Sequence, residues 1–280
     1  MKAYYITQKE IDDFRCYLRE EEKSDNTVEK YLRDVKMFAK YYSGKITKET
    51  VIAYKHDLIS NNYAIRSINS MLSSLNCLFS FLGWDDLKVK TLKLQRQIFC
   101  SEEKELTRKD YEKLCRTAEQ KHNKRLNLIM QTICSTGIRV SELQFVTLEA
   151  IRKGKLIVSM KGKTRTVIIP KDLKRRLCDY AAENNIFCGM IFVTKNGKRI
   201  NRTNIWREMK NLCVEAHINP EKVFPHNLRH LFARVFYSID KDIAKLADVL
   251  GHSNINTTRI YIVSTGTEHR LRIEQMRLII

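Results

Sequence analysis

The spacing of apolar residues in the first 83 positions is the feature that most restricts how this 280-residue chain can fold. Apolar side chains recur there at steps of three and four residues, which is the period of an α-helix with one buried face. Short polar segments and glycines break the pattern into four parts, with apolar faces at residues 11–18, 28–42, 51–58 and 68–82. We therefore predict four amphipathic helices in a helical domain.

A charged stretch with weak apolar periodicity follows this helical region. Its lysines and arginines suit a segment that runs along DNA. We predict a helical domain at residues 1–86, a basic linker at 87–105 and a second domain at 106–280. Two domains agree with the chain length, since a domain has about 150 residues and each of the two is large enough to bury a core.

The second domain combines helical patterns with short β-branched runs. Residues 155–160 and 166–170 flank a turn that contains Gly162, which predicts a β-hairpin. A third short strand is expected at 191–193, and most of the remaining segments have a helical period. The fold class is therefore mainly α with a small antiparallel β-sheet.

The net charge indicates the kind of partner. The chain has 51 Lys and Arg against 32 Asp and Glu, a net charge of +19, which points to a polyanion and above all to nucleic acid. It contains no run of about 18 apolar residues and no signal-peptide core, so we expect a soluble, cytoplasmic protein without a membrane partner. The eight cysteines are scattered without C-x-x-C spacing, as expected for reduced thiols rather than a metal site.

Polar residues with catalytic potential occur at helix ends and turns of the second domain. They are Arg139 after Gly137, the hairpin lysines Lys161 and Lys163, His226 with Arg229 one helical turn on, His252 after Gly251, and Tyr261. Arginine forks match phosphate oxygens and a tyrosine serves as a covalent nucleophile, so the set suits a phosphoryl transition state. It includes neither a carboxylate trio nor a metal-ligand cluster. Taken singly, each of these residues is more often an ordinary surface or core residue.

In this order and spacing the chain resembles the tyrosine recombinase (phage integrase) family over nearly its whole length. The resemblance rests on Thr-Gly-Ile-Arg139-Val-Ser-Glu-Leu, on His226-x-x-Arg229-His, and on Leu-Gly-His252 with Tyr261 nine residues later. It implies a helical, SAM-like core-binding domain and a catalytic domain, which together close a C-shaped clamp around double-stranded DNA.

The resemblance also implies a role for each residue of the set. Tyr261 attacks the scissile phosphate, which leaves a 3′-phosphotyrosyl link and a free 5′-hydroxyl. Arg139 and Arg229 bind the non-bridging oxygens, while His252 hydrogen-bonds the phosphate. His226 assists proton transfer near the tyrosine. Because the bond energy is retained in the phosphotyrosine, neither ATP nor a metal nor another cofactor is expected.

In the family, a hairpin lysine protonates the 5′-oxygen leaving group, and two lysines flank this turn. That lysine stands eight or nine residues before the proline that ends the second strand. Lys161 lies nine residues before Pro170 and Lys163 seven, which favours Lys161. Either lysine can instead contact backbone phosphates only, the role we assign to Lys163. Glu142 and His230 also match family positions, as supports for the catalytic set.

A second group of residues, in the helical domain, is predicted to contact DNA. Asn26 and Thr27 fit the family pattern for this domain. The short polar face of the fourth helix suits close approach to a phosphate backbone, and an ordinary solvated face is an equally good interpretation. The candidates on this helix are Arg66, Asn69, Ser70 and Ser73.

Residues 269–280 form a tail in which basic and apolar positions alternate. An exposed apolar face of this kind docks on another surface. The resemblance suggests a neighbouring protomer in a homotetramer on two DNA sites. Packing of the tail against its own domain is a nearly equal alternative.

The leading prediction is a site-specific DNA recombinase. It would serve either integration and excision of mobile DNA or Xer-type resolution, and the sequence does not decide between them. A type IB topoisomerase-like enzyme would use the same chemistry as a monomer to relax supercoils, and the docking tail argues against it. A DNA-binding protein that no longer cleaves is a third interpretation, against which the complete catalytic set argues.

Overall fold

The computed structural model describes residues 4–42, 44–93, 105–160, 162–194, 196–262 and 266–276. The chain forms two compact units, Met1–Arg96 and Gln97–Ile280, and each has a hydrophobic core of its own. The division between the units falls within the predicted linker. No helix in the described ranges is long and apolar enough to cross a membrane.

Four helices build the first unit, which confirms the helices predicted from apolar periodicity. They are α1 (Gln8–Glu20), α2 (Asp25–Tyr41), α3 (Lys48–Ser60) and α4 (Ile65–Phe81). Local capping determines where two of them begin. The Thr7 backbone N–H donates to the Glu10 carboxylate over 2.8 Å, and the Thr47 hydroxyl accepts a hydrogen bond from the Thr50 N–H.

The core of the first unit extends beyond its last helix. Phe14, Phe38 and Phe79 are fully buried at its centre. Leu87 and Val89, which follow α4, are buried in the same core. The first residues of the predicted linker are therefore part of the helical unit, because burial of their apolar side chains holds them there.

Helices and one hairpin build the second unit around a central helix, α6. Its elements are α5 (Arg108–Gln120), α6 (Lys124–Thr136), α7 (Leu148–Lys153), β1 (Lys155–Met160), β2 (Lys163–Ile168), α8 (Lys171–Glu183), α9 (Arg202–Glu215), α10 (Pro225–Asp240), α11 (Ile243–Leu250), α12 (Ile255–Arg259) and α13 (Gly266–Gln275). Helix α6 is buried on several sides, because α5, α8, α9 and α10 all pack against it. The structure is thus mainly α with a small antiparallel sheet.

The hairpin of β1 and β2 is antiparallel, with Lys155 opposite Ile168 and Met160 opposite Lys163. The predicted hairpin is confirmed, although its second strand begins at Lys163 rather than at residue 166. One face of the hairpin contributes Val158 to the core of the second unit.

The strand predicted at residues 191–193 is wrong. Within the described residues, this segment makes only a single bridge, between Val193 and Arg199. Ile191 and Phe192 are both buried. Their side chains therefore do not alternate between a buried and an exposed face, as those of a strand at a surface do.

Candidate active site

The turn after α6 sets the position of Arg139. Gly137 ends α6 with a left-handed backbone, φ +66°, and a Cβ at this position would lie 2.5 Å from the Phe232 ring. Only glycine combines this φ with this close approach. The chain therefore turns sharply, and Arg139 caps a short 3₁₀ helix, Val140–Phe145.

Glu142, in that 3₁₀ helix, is a buried carboxylate with a side chain only 1% exposed. Its Oε1 accepts from Arg139 Nη1 over 2.9 Å, and its Oε2 accepts from the Arg139 backbone N–H over 2.7 Å. Arg165 on β2 donates to both oxygens, each over 2.8 Å. Burial raises the pKa of Glu142, but the hydrogen bonds from Arg165 and Arg139 outweigh it, so the pKa is lowered overall.

Arg229, on α10, is the most deeply buried cation of the site, 1% exposed. Its guanidinium donates to the carbonyl of Gly137, which ends α6, and over 2.8 Å to the carbonyl of Leu250, which ends α11. It therefore lies at the negative ends of two helix dipoles, which offset part of the cost of burying its charge. Burial, followed by repulsion from Arg139, lowers the pKa of Arg229 to about 10, so the side chain is charged at neutral pH.

His252 follows Gly251, which ends α11 with φ +67°. Its Nε2 lies 2.9 Å from Arg229 Nη2, and its Nδ1 lies 2.9 Å from Thr258 Oγ1. A guanidinium only donates, so Nε2 accepts and Nδ1–H donates to Thr258. Burial first, and then Arg229 and Arg139, lower the pKa of His252 to about 4. The ring is therefore neutral at pH 7.

Tyr261, two residues after α12, lies among three histidines and is 5% exposed. Its hydroxyl oxygen is 3.4 Å from His226 Nε2. Its ring stacks on His230 with centroids 4.1 Å apart, and the His252 ring is 5.3 Å away. These contacts hold the phenol close enough to Arg229 for the two groups to interact electrostatically.

The histidines around Tyr261 are neutral at pH 7. Burial, and then the charge of His226, lower the pKa of His230 to about 4. Desolvation, and then Arg229 and Arg139, lower the pKa of His226 as well. A neutral His226 is able to accept a proton from the Tyr261 hydroxyl.

The charges of this site do not balance. Arg139, Arg165 and Arg229 bring three guanidinium groups together with one carboxylate, Glu142. Two positive charges therefore remain without a compensating carboxylate in this group. A buried or half-buried excess of this kind is suited to an anion with several acceptor oxygens, such as a phosphate diester.

The structure brings five predicted catalytic residues together. They are Arg139, His226, Arg229, His252 and Tyr261. Lys161 lies outside the described residues, so its assignment as general acid stays a prediction. Lys163 is described, and it is exposed at the start of β2.

The predicted DNA-contact residues of the first unit have different surroundings. Asn26 is exposed at the start of α2 and Thr27 is half-buried beside it, while Arg66, Ser70 and Ser73 are exposed on α4. Asn69 has partners within its own unit, because its amide accepts from the Leu92 N–H over 2.7 Å and donates to the Leu92 carbonyl over 2.9 Å, and its assignment as a DNA contact stays a prediction. These bonds fasten the segment after α4 to the helix, a role that the helical pattern did not indicate.

Sequence reasoning missed two residues of the site, Arg165 and Thr258. The strand pattern could have indicated Arg165. It lies two residues before Val167, which is buried, so the two side chains share the inner face of β2. A charged residue there needs a partner. Thr258 has no such signal, since only the fold brings it to His252.

Comparisons with known proteins identify the family of this chain. The model of the phage integrase family matches residues 104–268, and that of the phage integrase N-terminal SAM-like domain matches residues 11–86. Since the first match alone covers more than half of the chain, the protein belongs to the phage integrase family, a family of site-specific tyrosine recombinases.

Individual relatives are similar over most of their length. Tyrosine recombinase XerA of Pyrococcus furiosus is 29% identical over 100% of this chain and 98% of its own. Tyrosine recombinase XerD of Oceanobacillus iheyensis is 26% identical over 90% of this chain and 92% of its own. A solved lambda integrase tetramer bound to a Holliday junction shares the fold, with a TM-score of 0.73 at 19% identity over 92% of this chain and 77% of that one.

Proposed function

We propose that this protein cuts and rejoins double-stranded DNA at specific sites, with Tyr261 as the covalent nucleophile. Such an enzyme serves integration and excision of mobile DNA or Xer-type resolution. One observation carries the proposal: the Tyr261 hydroxyl lies 3.4 Å from a neutral His226 and beside Arg229, all within one chain. Side chains with the chemistry of a nucleophile, a proton acceptor and an anion-binding cation thus lie side by side in one chain, which supports the proposal.

The scissile phosphate binds at the site where the guanidinium groups outnumber the carboxylates. Arg139, whose side chain is 39% exposed, binds its non-bridging oxygens together with Arg229. The negative charge of the phosphate opposes the effect of the arginines on His252, so the pKa of His252 rises when DNA binds. Protonation of His252 at Nε2 ends the hydrogen bond that this atom accepts from Arg229, and the Nε2–H then donates to a phosphate oxygen.

The cleavage step exchanges one phosphate ester for another. The Tyr261 oxygen bonds to phosphorus as its proton passes to His226, and the bond from phosphorus to the 5′-oxygen breaks. Lys161 protonates the departing 5′-oxygen. The products are a 3′-phosphotyrosyl link and a 5′-hydroxyl, and attack by a 5′-hydroxyl of the partner strand reverses the reaction. Since the number of phosphate ester bonds is conserved, the step requires no ATP. Arg139 and Arg229 supply the positive charge that a metal ion would otherwise provide.

We further propose that both units bind DNA and that four protomers assemble on two DNA sites. The family resemblance supports DNA contacts from both units, with Arg66, Ser70 and Ser73 of the first unit as candidates for contacts with the DNA backbone. The tail supports assembly, because Leu271 and Ile273 on α13 are more than half exposed rather than packed on their own unit. Residues 277–280 of the tail lie outside the described residues.

The proposal is tested by trapping the covalent intermediate. The probe is a pool of duplexes of random sequence, each with a nick in one strand, so that a short 5′-hydroxyl fragment diffuses away after cleavage. Wild-type protein is expected to form an adduct that survives detergent and carries a 3′-phosphotyrosyl link. Sequencing of the trapped duplexes then identifies the site.

Two controls decide how the result is interpreted. Tyr261→Phe should form no adduct while it binds the selected duplex as the wild type does, because only the hydroxyl is lost. EDTA should leave the rate unchanged. An adduct that persists in Tyr261→Phe overturns the assignment of the nucleophile, and loss of the adduct in EDTA overturns the metal-free mechanism.

A further inference from the structure

We infer that Arg165 is a positioning residue that keeps Arg139 available to the scissile phosphate. Arg165 is only 14% exposed, and its two terminal nitrogens donate in parallel to the two oxygens of Glu142. Such a two-pronged pair fixes both groups in position as well as in distance. The inference rests on the proposed function, since it concerns the phosphate-binding role of Arg139.

The hydrogen bonds that the two Glu142 oxygens accept explain how Arg165 affects Arg139. Each oxygen accepts one hydrogen bond from the Arg165 guanidinium and one from Arg139, the latter through Nη1 on Oε1 and through the backbone N–H on Oε2. All four acceptor positions of the carboxylate are therefore occupied. Arg139 is limited to a single guanidinium hydrogen bond, and the rest of its fork remains for a phosphate.

Removal of Arg165 would change the behaviour of Arg139. Glu142 would stay buried with two acceptor positions open and with half of its cationic partners lost. A buried carboxylate in that state attracts the nearest available guanidinium strongly. We expect Arg139 to turn into a two-pronged pair with Glu142, which takes its donors away from the phosphate.

Arg165 also connects two other parts of the site. A Cβ at Gly251 would lie 2.6 Å from Arg165 Cδ, so the arginine stem packs directly against the residue before His252. In the sequence, Arg165 is four residues after Lys161. One side chain thereby links the hairpin, the Arg139 segment and the His252 loop, and a shift of about 1 Å among such groups is enough to slow a reaction about 100-fold.

The experiment separates positioning from binding and from folding. The selected nicked duplex is the probe, the single-turnover rate of adduct formation is the chemical readout, and Kd is measured in a Tyr261→Phe background. Arg165→Lys retains the positive charge but loses the bidentate hydrogen bonding to the two Glu142 oxygens. It should slow adduct formation about 10- to 100-fold with an unchanged Kd and an unchanged melting temperature. Arg199→Lys is the matched control, because Arg199 donates to the Ser141 carbonyl of the same segment from an exposed position, and its rate should equal that of the wild type.

A double substitution tests the capture of Arg139 directly. Arg165→Met leaves Glu142 free to pair with Arg139, whereas Glu142→Gln with Arg165→Met removes the charge that captures it. The double variant should therefore form the adduct faster than Arg165→Met alone. If Arg165→Met does not fold, Arg165→Lys is compared with Glu142→Gln plus Arg165→Lys, and the same order is expected.

The outcomes distinguish this inference from the proposed function. A wild-type protein without a Tyr261-dependent adduct contradicts the proposed function itself. When the wild type forms the adduct, a normal rate in Arg165→Lys overturns the inference about Arg165 only. A rate loss that follows a weaker Kd, or a double variant no faster than the single one, also overturns it.

Discussion

Among the described residues, each of the two units has one buried carboxylate, Asp34 in the first and Glu142 in the second, and their hydrogen-bond partners differ. In the first unit Asp34 on α2 binds Lys30 over 2.8 Å and accepts from the Ser74 hydroxyl on α4 over 2.9 Å. Lys30 also donates to the Ser70 carbonyl and the Ser74 hydroxyl. We call these side chains the Asp34 network, and Arg139, Glu142 and Arg165 the Glu142 network.

The difference lies in what the cations have left to bind. In the Asp34 network, the Lys30 ammonium uses its donors on acceptors of the protein, which fastens α2 to α4. The second cation beside Asp34, Arg33, is 74% exposed and is therefore neutralised largely by solvent. In the Glu142 network two arginines share one carboxylate, and Arg229 adds a third guanidinium nearby. We call a network closed when its cations use their donors on the protein itself, and such a network stabilises the fold. A network with an excess of cations can bind an anionic ligand.

The largest expected effect on the rate of adduct formation comes from a change to one of the excess cations, Arg229. Arg229→Lys replaces a fork that reaches two helix-end carbonyls and His252 by a single ammonium, so the transition-state charge is poorly stabilised. We expect the rate of adduct formation to fall about 100- to 1,000-fold. Arg33→Lys, at an exposed arginine beside Asp34, is the matched control and should cleave normally. Similar losses in both variants would remove the distinction between the networks.

Complementation asks whether this site is complete in one protomer. A mixture of Tyr261→Phe and Arg229→Lys proteins should form no more adduct than Arg229→Lys does alone, because Tyr261 and Arg229 belong to one site in one chain. The amount of adduct in the mixture is measured on the selected duplex. Recovery toward the wild-type rate would mean that the tyrosine is delivered from a neighbouring protomer.

Disruption of the Asp34 network should lower the free energy of unfolding and leave the rate of adduct formation unchanged. Asp34→Ala leaves Lys30 without its counter-ion, and we expect the free energy of unfolding to fall by about 3 kcal/mol. Urea denaturation followed by circular dichroism measures this loss. At a temperature at which the variant is folded, its single-turnover rate on bound DNA should match the wild type. A slowed chemical step would connect the Asp34 network to catalysis.

The two hairpin lysines differ in expected effect. If Lys161 is the general acid, Lys161→Ala should slow adduct formation about 100-fold on an ordinary phosphate ester, and Lys163→Ala much less. A duplex with sulfur in place of the bridging 5′-oxygen supplies a leaving group that needs no proton. It should restore the rate of Lys161→Ala, and failure to do so would assign the lysine to phosphate contact only.

The histidines of the site should make stability depend on pH. His230 and His252 have a pKa of about 4 in the folded protein and about 6.5 in an unfolded chain. Between these values the unfolded chain binds protons that the folded one does not, so the free energy of unfolding falls as pH falls from about 6.5 to 4. The slope is at most about 1.4 kcal/mol per pH unit for each histidine. His230→Phe should reduce the slope measured by urea denaturation, and an unaltered slope would contradict the assignment.

The smallest expected effect distinguishes contact with DNA from support of the fold on α4. Arg66→Ala should lower the slope of log K against log salt by about 0.9, as expected for one lost phosphate contact. Asn69→Ala should leave that slope unchanged and reduce stability by about 1 to 3 kcal/mol, because the Leu92 backbone loses its partner. Titrations at several salt concentrations measure the first quantity. The reverse result would make Asn69 the DNA contact.

Much of the secondary structure could be predicted from local sequence patterns. Helices α1 to α4, the stops at Gly137 and Gly251 and the hairpin all follow from periods and caps that span four residues or fewer. The order of Arg139, His226 with Arg229, His252 and Tyr261 identified the family and the members of the site. Such signals act between near neighbours in the chain, so they are readable before any tertiary contact is known.

Tertiary structure decided which polar groups meet. Arg165 pairs with Glu142 across 23 residues of chain, and Asn69 on α4 binds the backbone of Leu92. It also decided the position of the His252 proton, since Arg229 donates to Nε2 and the proton therefore lies on Nδ1, facing Thr258. A polar side chain can satisfy its hydrogen bonds in many ways, and only the packing of distant segments selects one of them.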